Sequence, residues 1–256
     1  MVKPIMEKTV DKLRIEIYEN RPDMGAAAAA AVVKELKELL AKLDEVNMVF
    51  AAAPSQNEFL AALIAAEGID WSRVNAFHLD EYIGLPKDAP QRFANFLNNA
   101  IFGKLPFKTI NLLDGTAEPA AECARYSALL AKHPLHIACI GIGENGHIAF
   151  NDPPVADFQD PHMVKVVELD EICRNQQVND GCFPTLADVP THALTLTIPA
   201  IMAAQALYCI VPGPTKTDAV RRTVTGPIST ECPASIMRTH ECACLYVDRA
   251  AAALIM

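Results

Sequence analysis

Four short stretches of this 256-residue chain carry side chains suited to moving a proton or holding an anion. The first is the run I-G-I-G-E-N-G-H-I-A-F-N-D-P-P from Ile140 to Pro154, which presents His147 and, five positions on, Asp152. An imidazole and a carboxylate just past a buried strand are the parts that proton transfer near neutral pH requires. Gly141, Gly143 and Gly146 precede them and let a ligand approach the backbone closely. A tight turn bearing one exposed histidine is the competing reading, and on this stretch alone both stand open.

The second stretch is Asp80-Glu81, directly after the apolar run V-N-A-F-H-L. Two acids at a strand end lie at the mouth of a sheet. Burial raises a carboxylate's pKa and makes it a better base near neutral pH; a solvated acidic turn would account for the same residues. The third is P-G-P-T-K at 212–216, where Thr215 can cap a helix and Lys216 supplies a cation beside Gly213. The fourth is P-S-Q-N at 54–57, where Ser55 or Asn57 suits an N-cap and free helix amides suit phosphate. Capping alone is the simpler reading of 54–57.

For these stretches to act together, the elements between them must bring them to one place. Apolar runs at 46–53, 74–79, 110–113, 137–142, 193–198, 206–211 and 242–247 read as strands, with L-R-I-E-I-Y as a short alternating strand near the start. Helical patterns fall between them. The first, Met24 to Leu43, owes its alanine run to helix propensity and its larger apolar residues to three- and four-residue spacing. Alternation of strand and helix predicts an α/β fold: one domain over 1–256, with a mostly parallel, doubly wound sheet and helices on both faces. The proline-punctuated stretch 153–190 reads as an irregular excursion over one face, a cover to the site. Ligands in such sheets bind outside the carboxyl ends of the strands, where all four stretches fall.

Composition narrows the partners. The net charge of −9 with no basic block argues against nucleic acid. Eight cysteines without a C-x-x-C pair argue against a zinc ribbon and suit a reducing compartment. The N-terminal segment has no apolar core of signal-peptide length, and the longest apolar stretch, Met24–Val33, is too short to span a bilayer. The expectation is a soluble cytoplasmic protein with no membrane partner. G-I-G-E-N-G lacks dinucleotide-loop spacing, and neither a G-x-S-x-G elbow nor a Walker lysine motif occurs.

H-L-D-E-Y-I-G-L-P at 78–86 followed by G-I-G-E-N-G-H-I-A-F-N-D-P at 141–153 resembles the glucosamine-6-phosphate deaminase family. That family includes galactosamine-6-phosphate isomerases, and 6-phosphogluconolactonases are its relatives. N-L-L-D-G at 111–115, T-H-A-L-T-L at 191–196 and V-P-G-P-T-K at 211–216 agree in order and spacing, so the resemblance covers roughly 44–248. It implies a Rossmann-like fold and conversion of a phosphorylated amino sugar to a ketose 6-phosphate and ammonia, without metal or organic cofactor. It assigns the C2 base to Asp80, ring opening to His147, support of that histidine to Asp152, and phosphate binding to Lys216 and Ser55, Gln56 and Asn57. It admits a homo-oligomer, which nothing in the sequence decides. The alternatives are a 6-phosphogluconolactonase-like hydrolase and a non-catalytic sugar-phosphate binder. Four positions depart from the family pattern. Asn145 replaces an aspartate and is expected to orient His147 by hydrogen bonding, so that Asn145→Asp is tolerated or raises the rate. Asp152 replaces a glutamate, P-S-Q-N replaces a glycine-rich loop, and the family's phosphate-binding arginine has Arg174 as its nearest counterpart.

Overall fold

The computed structural model describes residues 2–256. In chain order its elements are β1 (Met6–Val10), β2 (Leu13–Tyr18), α1 (Arg21–Leu40), β3 (Val46–Phe50), α2 (Asn57–Ile64), β4 (Val74–His78), β5 (Asp80–Tyr82), α3 (Phe93–Leu97), β6 (Thr109–Asn111), α4 (Pro119–Lys132), β7 (Ile137–Ile140), β8 (Val164–Glu168), α5 (Glu171–Asn179), β9 (His192–Leu196), α6 (Ile198–Met202), β10 (Ala206–Val211), α7 (Thr217–Thr225) and β11 (Ala243–Asp248). Eight strands form one sheet in the order β1-β2-β11-β10-β7-β3-β4-β6. All its pairings are parallel except that of the edge strand β1 with β2.

The central strands are apolar on both faces because both faces are covered. Along β10, Tyr208 and Ile210 join the core under α1 and α2, while Leu207, Cys209 and Val211 join the opposite core with α4 and α7. On β7, Ile137 and Cys139 face the first core, and Ala138 and Ile140 the second. This period of two, read into two separate cores, is the doubly wound arrangement expected from the sequence.

The chain leaves β3 for β4 and β6 at one edge, then returns through α4 to β7, on the other side of β3, and continues to β10 and β11. The winding direction therefore reverses between β3 and β7. Loops diverge at such a switch point and leave a crevice at the carboxyl ends of the strands.

Two readings of the sequence are corrected. The run at 193–198 does not join the large sheet. As β9 it pairs antiparallel with β5 and β8 in a separate three-stranded sheet. The stretch 153–190 is not irregular throughout: it contains β8 and α5. Their signals are weak because β8 is partly exposed and α5 buries only three residues, Cys173, Gln176 and Gln177, two of them glutamines.

Candidate active site

A cavity of about 300 Å³ lies at the switch point, lined among others by Ser55, Gln56, Asp80, Gly143, His147 and Lys216. Most of its wall comes from the loops that follow β3, β4, β7 and β10, which are neighbouring strands in the sheet.

Asp80 and Glu81 have opposite environments although they are adjacent. Glu81 is wholly buried and accepts from the backbone N–H groups of Tyr82, Phe93 and Ala94, with Arg92 Nε 3.5 Å away. Its carboxylate is thus committed to the N-terminus of α3. Asp80 faces the cavity, and its carboxylate makes no hydrogen bond among the described residues. Burial, followed by the negative charges of Glu81 and Asp152, pushes its pKa well above the ordinary carboxylate value. The strand end beneath is rigid. His78 Nε2 accepts from the Leu113 N–H at 2.7 Å, and the Tyr126 hydroxyl bridges the His78 backbone N–H and carbonyl at 3.0 Å each. Burial holds His78 neutral, with a pKa lowered to about 3, so it positions the strand and carries no charge.

The loop after β7 folds back on itself through Gly143 N–H to His147 O, 2.9 Å, and Gly146 N–H to Gly143 O, 3.0 Å. A side chain at Gly143 would overlap the His147 ring at 2.1–2.3 Å, so glycine there is what lets the imidazole lie against the loop. Gly146 adopts φ +91°, which glycine alone takes without strain. Downstream, Asn151 Nδ2 donates to the carbonyls of Ile148 and Leu196 at 2.9 and 2.8 Å, and this anchors Asp152.

His147 Nδ1 lies 2.8 Å from Asp152 Oδ1 and 2.8 Å from Asn145 Oδ1. The orientation of Asn145 follows from its neighbours. Its Nδ2 donates to Asp152 Oδ1 at 2.8 Å, and its Oδ1 accepts the His147 backbone N–H at 3.0 Å. Both groups at Nδ1 are therefore acceptors. Nδ1 carries the proton, and the Nε2 lone pair is the free one on the ring. Burial acts to raise Asp152, but His147, the Asn145 amide and the nearby Cys173 thiol outweigh it, and the carboxyl stays below its ordinary range.

Lys216 is buried in the cavity wall and makes no ion pair among the described residues. Desolvation pulls its pKa below the ordinary lysine value, against the opposing pull of Asp180 and Glu144. A buried ammonium without a partner is a strong attractor for an anion. Ser55 and Gln56 share its cavity. Gln56 Nε2 donates to Ile210 O and Ser55 Oγ at 3.1 Å each, which ties the loop after β3 to β10. Neither the 3₁₀ turn Pro54–Gln56 nor α2 has a side-chain cap, so the expected capping by Ser55 or Asn57 is not formed.

Two residues expected in the site lie elsewhere. Asn57 is exposed on α2 and does not line the cavity, because the turn Pro54–Gln56 rotates it outward. Arg174 lines a separate cavity with Asp152, Glu168 and Asp170, and its Nη2 is spent on the carbonyls of Leu186 and Val189 at 2.8 and 2.9 Å. The cationic wall residue that sequence reading missed is Arg21. It lines the main cavity, pairs with both oxygens of Glu58 at 3.0 and 2.9 Å, and donates to Pro54 O at 3.1 Å. Gln176, Gln177 and Asp180, from α5 and its C-terminal cap, were missed too. No local pattern marks any of them, since each reaches the site only through tertiary packing.

A family model described as glucosamine-6-phosphate isomerases/6-phosphogluconolactonase matches residues 19–246. A glucosamine-6-phosphate deaminase of Listeria innocua is 37% identical over 212 residues, covering 82% of this chain and 88% of the relative. A glucosamine-6-phosphate deaminase of Lactobacillus delbrueckii subsp. bulgaricus is 32% identical over 244 residues, 95% and 100% of the two chains. Among solved structures, a monomeric glucosamine-6-phosphate deaminase superposes with a TM-score of 0.85 at 29% identity, covering 94% of this chain and 99% of that one. A 6-phosphogluconolactonase of Thermotoga maritima superposes with a TM-score of 0.75 at 18% identity, covering 94% and 100%, a likeness of fold.

Proposed function

Since the chain belongs to the glucosamine-6-phosphate isomerase/6-phosphogluconolactonase family, we propose that it converts an amino-sugar 6-phosphate and water to a ketose 6-phosphate and ammonia. The observation that carries this reading is Asp80, a desolvated carboxylate without a hydrogen-bond partner among the described residues, in the cavity that also holds the free Nε2 of His147 and the ammonium of Lys216, which none of those residues pairs.

In this reading the substrate phosphate lies against Lys216 and the turn carrying Ser55 and Gln56. His147 Nε2 takes the proton of the anomeric hydroxyl and returns it to the ring oxygen, which opens the pyranose. Asp152 and Asn145 hold the ring in the tautomer that leaves Nε2 free, and Asp152 stabilises the imidazolium formed between the two transfers. Asp80 takes the C2 proton and delivers it to C1, while the aldehyde oxygen gains a proton and the amino group gives one up as the C2 imine forms. Its raised pKa suits this task, because a more basic carboxylate binds that proton more firmly in the transition state. The C2 imine left behind adds water and releases ammonia.

The test is to incubate the protein with glucosamine 6-phosphate and with galactosamine 6-phosphate and measure ammonia and ketose together. Ammonia from at least one substrate is expected, and none from either with folded protein overturns the proposal. Lactone hydrolysis that survived Asp80→Asn would point instead to the hydrolase branch of the family, because opening a lactone requires no base at C2.

A further inference from the structure

Asp152 uses only one of its carboxylate oxygens on His147 and Asn145. The other, Oδ2, is fully buried, and among the described residues it has no hydrogen-bond partner apart from the approach of the Cys173 thiol to this carboxylate. The Cys173 thiol, 1% exposed on α5, approaches the same carboxylate. One ring nitrogen of His147, a carboxylate oxygen of Asp152 and Cys173 Sγ all lie within 4.8 Å of one another. We propose that these three side chains form a binding site for one zinc-type divalent ion, and that its occupancy opposes catalysis.

The donor set selects the ion. Nitrogen, oxygen and sulfur together suit Zn²⁺ and its borderline-soft neighbours, whereas Mg²⁺ and Ca²⁺ take oxygen ligands. Bonds of about 2.0–2.3 Å in a tetrahedral site separate the ligand atoms by about 3.3–3.8 Å. Donors within 4.8 Å of one another need close by no more than about 1.5 Å, within the reach of side-chain rotations. Binding balances in charge and protons. Cys173 gives up its thiol proton to solvent, and the thiolate and the Asp152 carboxylate together neutralise the ion. If Nδ1 of His147 is the ligand, its proton moves to Nε2. The fourth position is left for an exchangeable ligand.

The ion would act in two ways. It would occupy the imidazole and the carboxylate that the proposed proton transfers need. It would also join α5, which carries Cys173, to the loop after β7, which carries His147 and Asp152. Without the ion, the hydrogen bonds of Glu144 N–H to Gln176 Oε1 at 2.8 Å and of Asn145 Nδ2 to Asp170 Oδ2 at 3.5 Å link this loop to α5 and its N-cap.

Co²⁺ is the direct probe, added to reduced protein without oxygen. One equivalent should bind, develop a thiolate-to-cobalt charge-transfer band, and be displaced by Zn²⁺. The band should be absent from both Cys173→Ser and Cys173→Ala, and amide exchange across residues 171–179 should slow when Zn²⁺ binds the unaltered chain. Zn²⁺ should also lower turnover, EDTA should restore it, and Cys173→Ser should weaken the inhibition about tenfold or more. A band of equal strength in the Cys173 variants would assign the ion to another thiol and overturn the proposal. So would the absence of any band or any slowing of exchange in the unaltered chain. The band and the exchange data need no turnover, so they stand or fall apart from the deaminase reading.

Discussion

At the scale of single residues, Asp80 and Asp152 are two carboxylates whose environments drive their pKa values in opposite directions. For Asp80 the folded value lies above the unfolded 3.8, so between the two the folded state binds more protons. The stability associated with its neutral form is complete below the unfolded value and is lost as pH rises through the folded one. Asp152 behaves conversely: its contribution is present above the unfolded value and lost as pH falls through the lowered one. Asp80→Asn should therefore cut ammonia release by a factor of about 10²–10⁴, the contribution of a positioned base. Its melting temperature should equal or exceed that of the unaltered protein, with the gap widening as pH rises above the ordinary carboxylate range. A loss of stability in that variant at every pH would show that the folded protein stabilises the ionised carboxylate. Asn145 offers a second test. Its amide donates to Asp152, so Asn145→Asp would set two carboxylates where 2.8 Å now separates donor and acceptor. One of them must then retain a proton. The hydrogen bond to Asp152 argues against the tolerated or faster variant expected if Asn145 only orients His147. The activity of Asn145→Asp at neutral pH should fall, and its optimum should move toward acid in a profile of kcat/KM against pH.

At the scale of elements, β9 sets the distance between the two chemical groups. Asp80 on β5 pairs in register with Thr195 on β9. The Thr195 hydroxyl also accepts from the Phe150 N–H, in the loop between His147 and Asp152, at 3.1 Å. One residue therefore touches both segments. Thr195→Val keeps the shape and leaves a buried N–H unsatisfied, at a cost of about 1–3 kcal/mol in stability. Its kinetic signature should be a fall in kcat with little change in KM, because the proposed phosphate contacts, Ser55, Gln56 and Lys216, lie on other loops. An unchanged kcat would show that β9 does not position the loop. The segment T-H-A-L-T-L was visible as a motif, and its strand was foreseen. Its membership of a second sheet was not, because periodicity reports which face is buried and is silent about which strand lies alongside.

At the scale of the whole molecule, the reversal of winding between β3 and β7 divides the cavity. On one side the loops after β3 and β4 bring Ser55 and Gln56, suited to an anion, and Asp80, suited to protons; on the other the loops after β10 and β7 bring Lys216 and His147, again one of each. A ligand bridging the two halves stabilises the folded state by about 2.7 kcal/mol at a hundred times its dissociation constant. For a chain of this size that corresponds to a rise of about 5–10 °C in melting temperature. Glucosamine 6-phosphate should produce such a shift, glucosamine without the phosphate should not, and Lys216→Met should largely abolish it. An undiminished shift in Lys216→Met would place the phosphate elsewhere.

Sequence by itself determined the α/β class, the four loops and most of what lines the cavity. The alternation of apolar strands and amphipathic helices, and the chemistry packed into Asp80, His147, Asp152 and Lys216, are local properties of the chain. Only the tertiary structure separated Asp80 from Glu81, because their difference is which of them meets the amides of α3. Only it exchanged Arg174 for Arg21 in the cavity wall, since that depended on which guanidinium was already spent on backbone carbonyls and which stood beside the turn at Pro54. And only it brought Cys173 to Asp152, across 21 positions of chain whose pattern carried little signal. Burial, hydrogen-bond competition and proximity between distant segments are properties of the packed molecule, and no spacing along the chain encodes them.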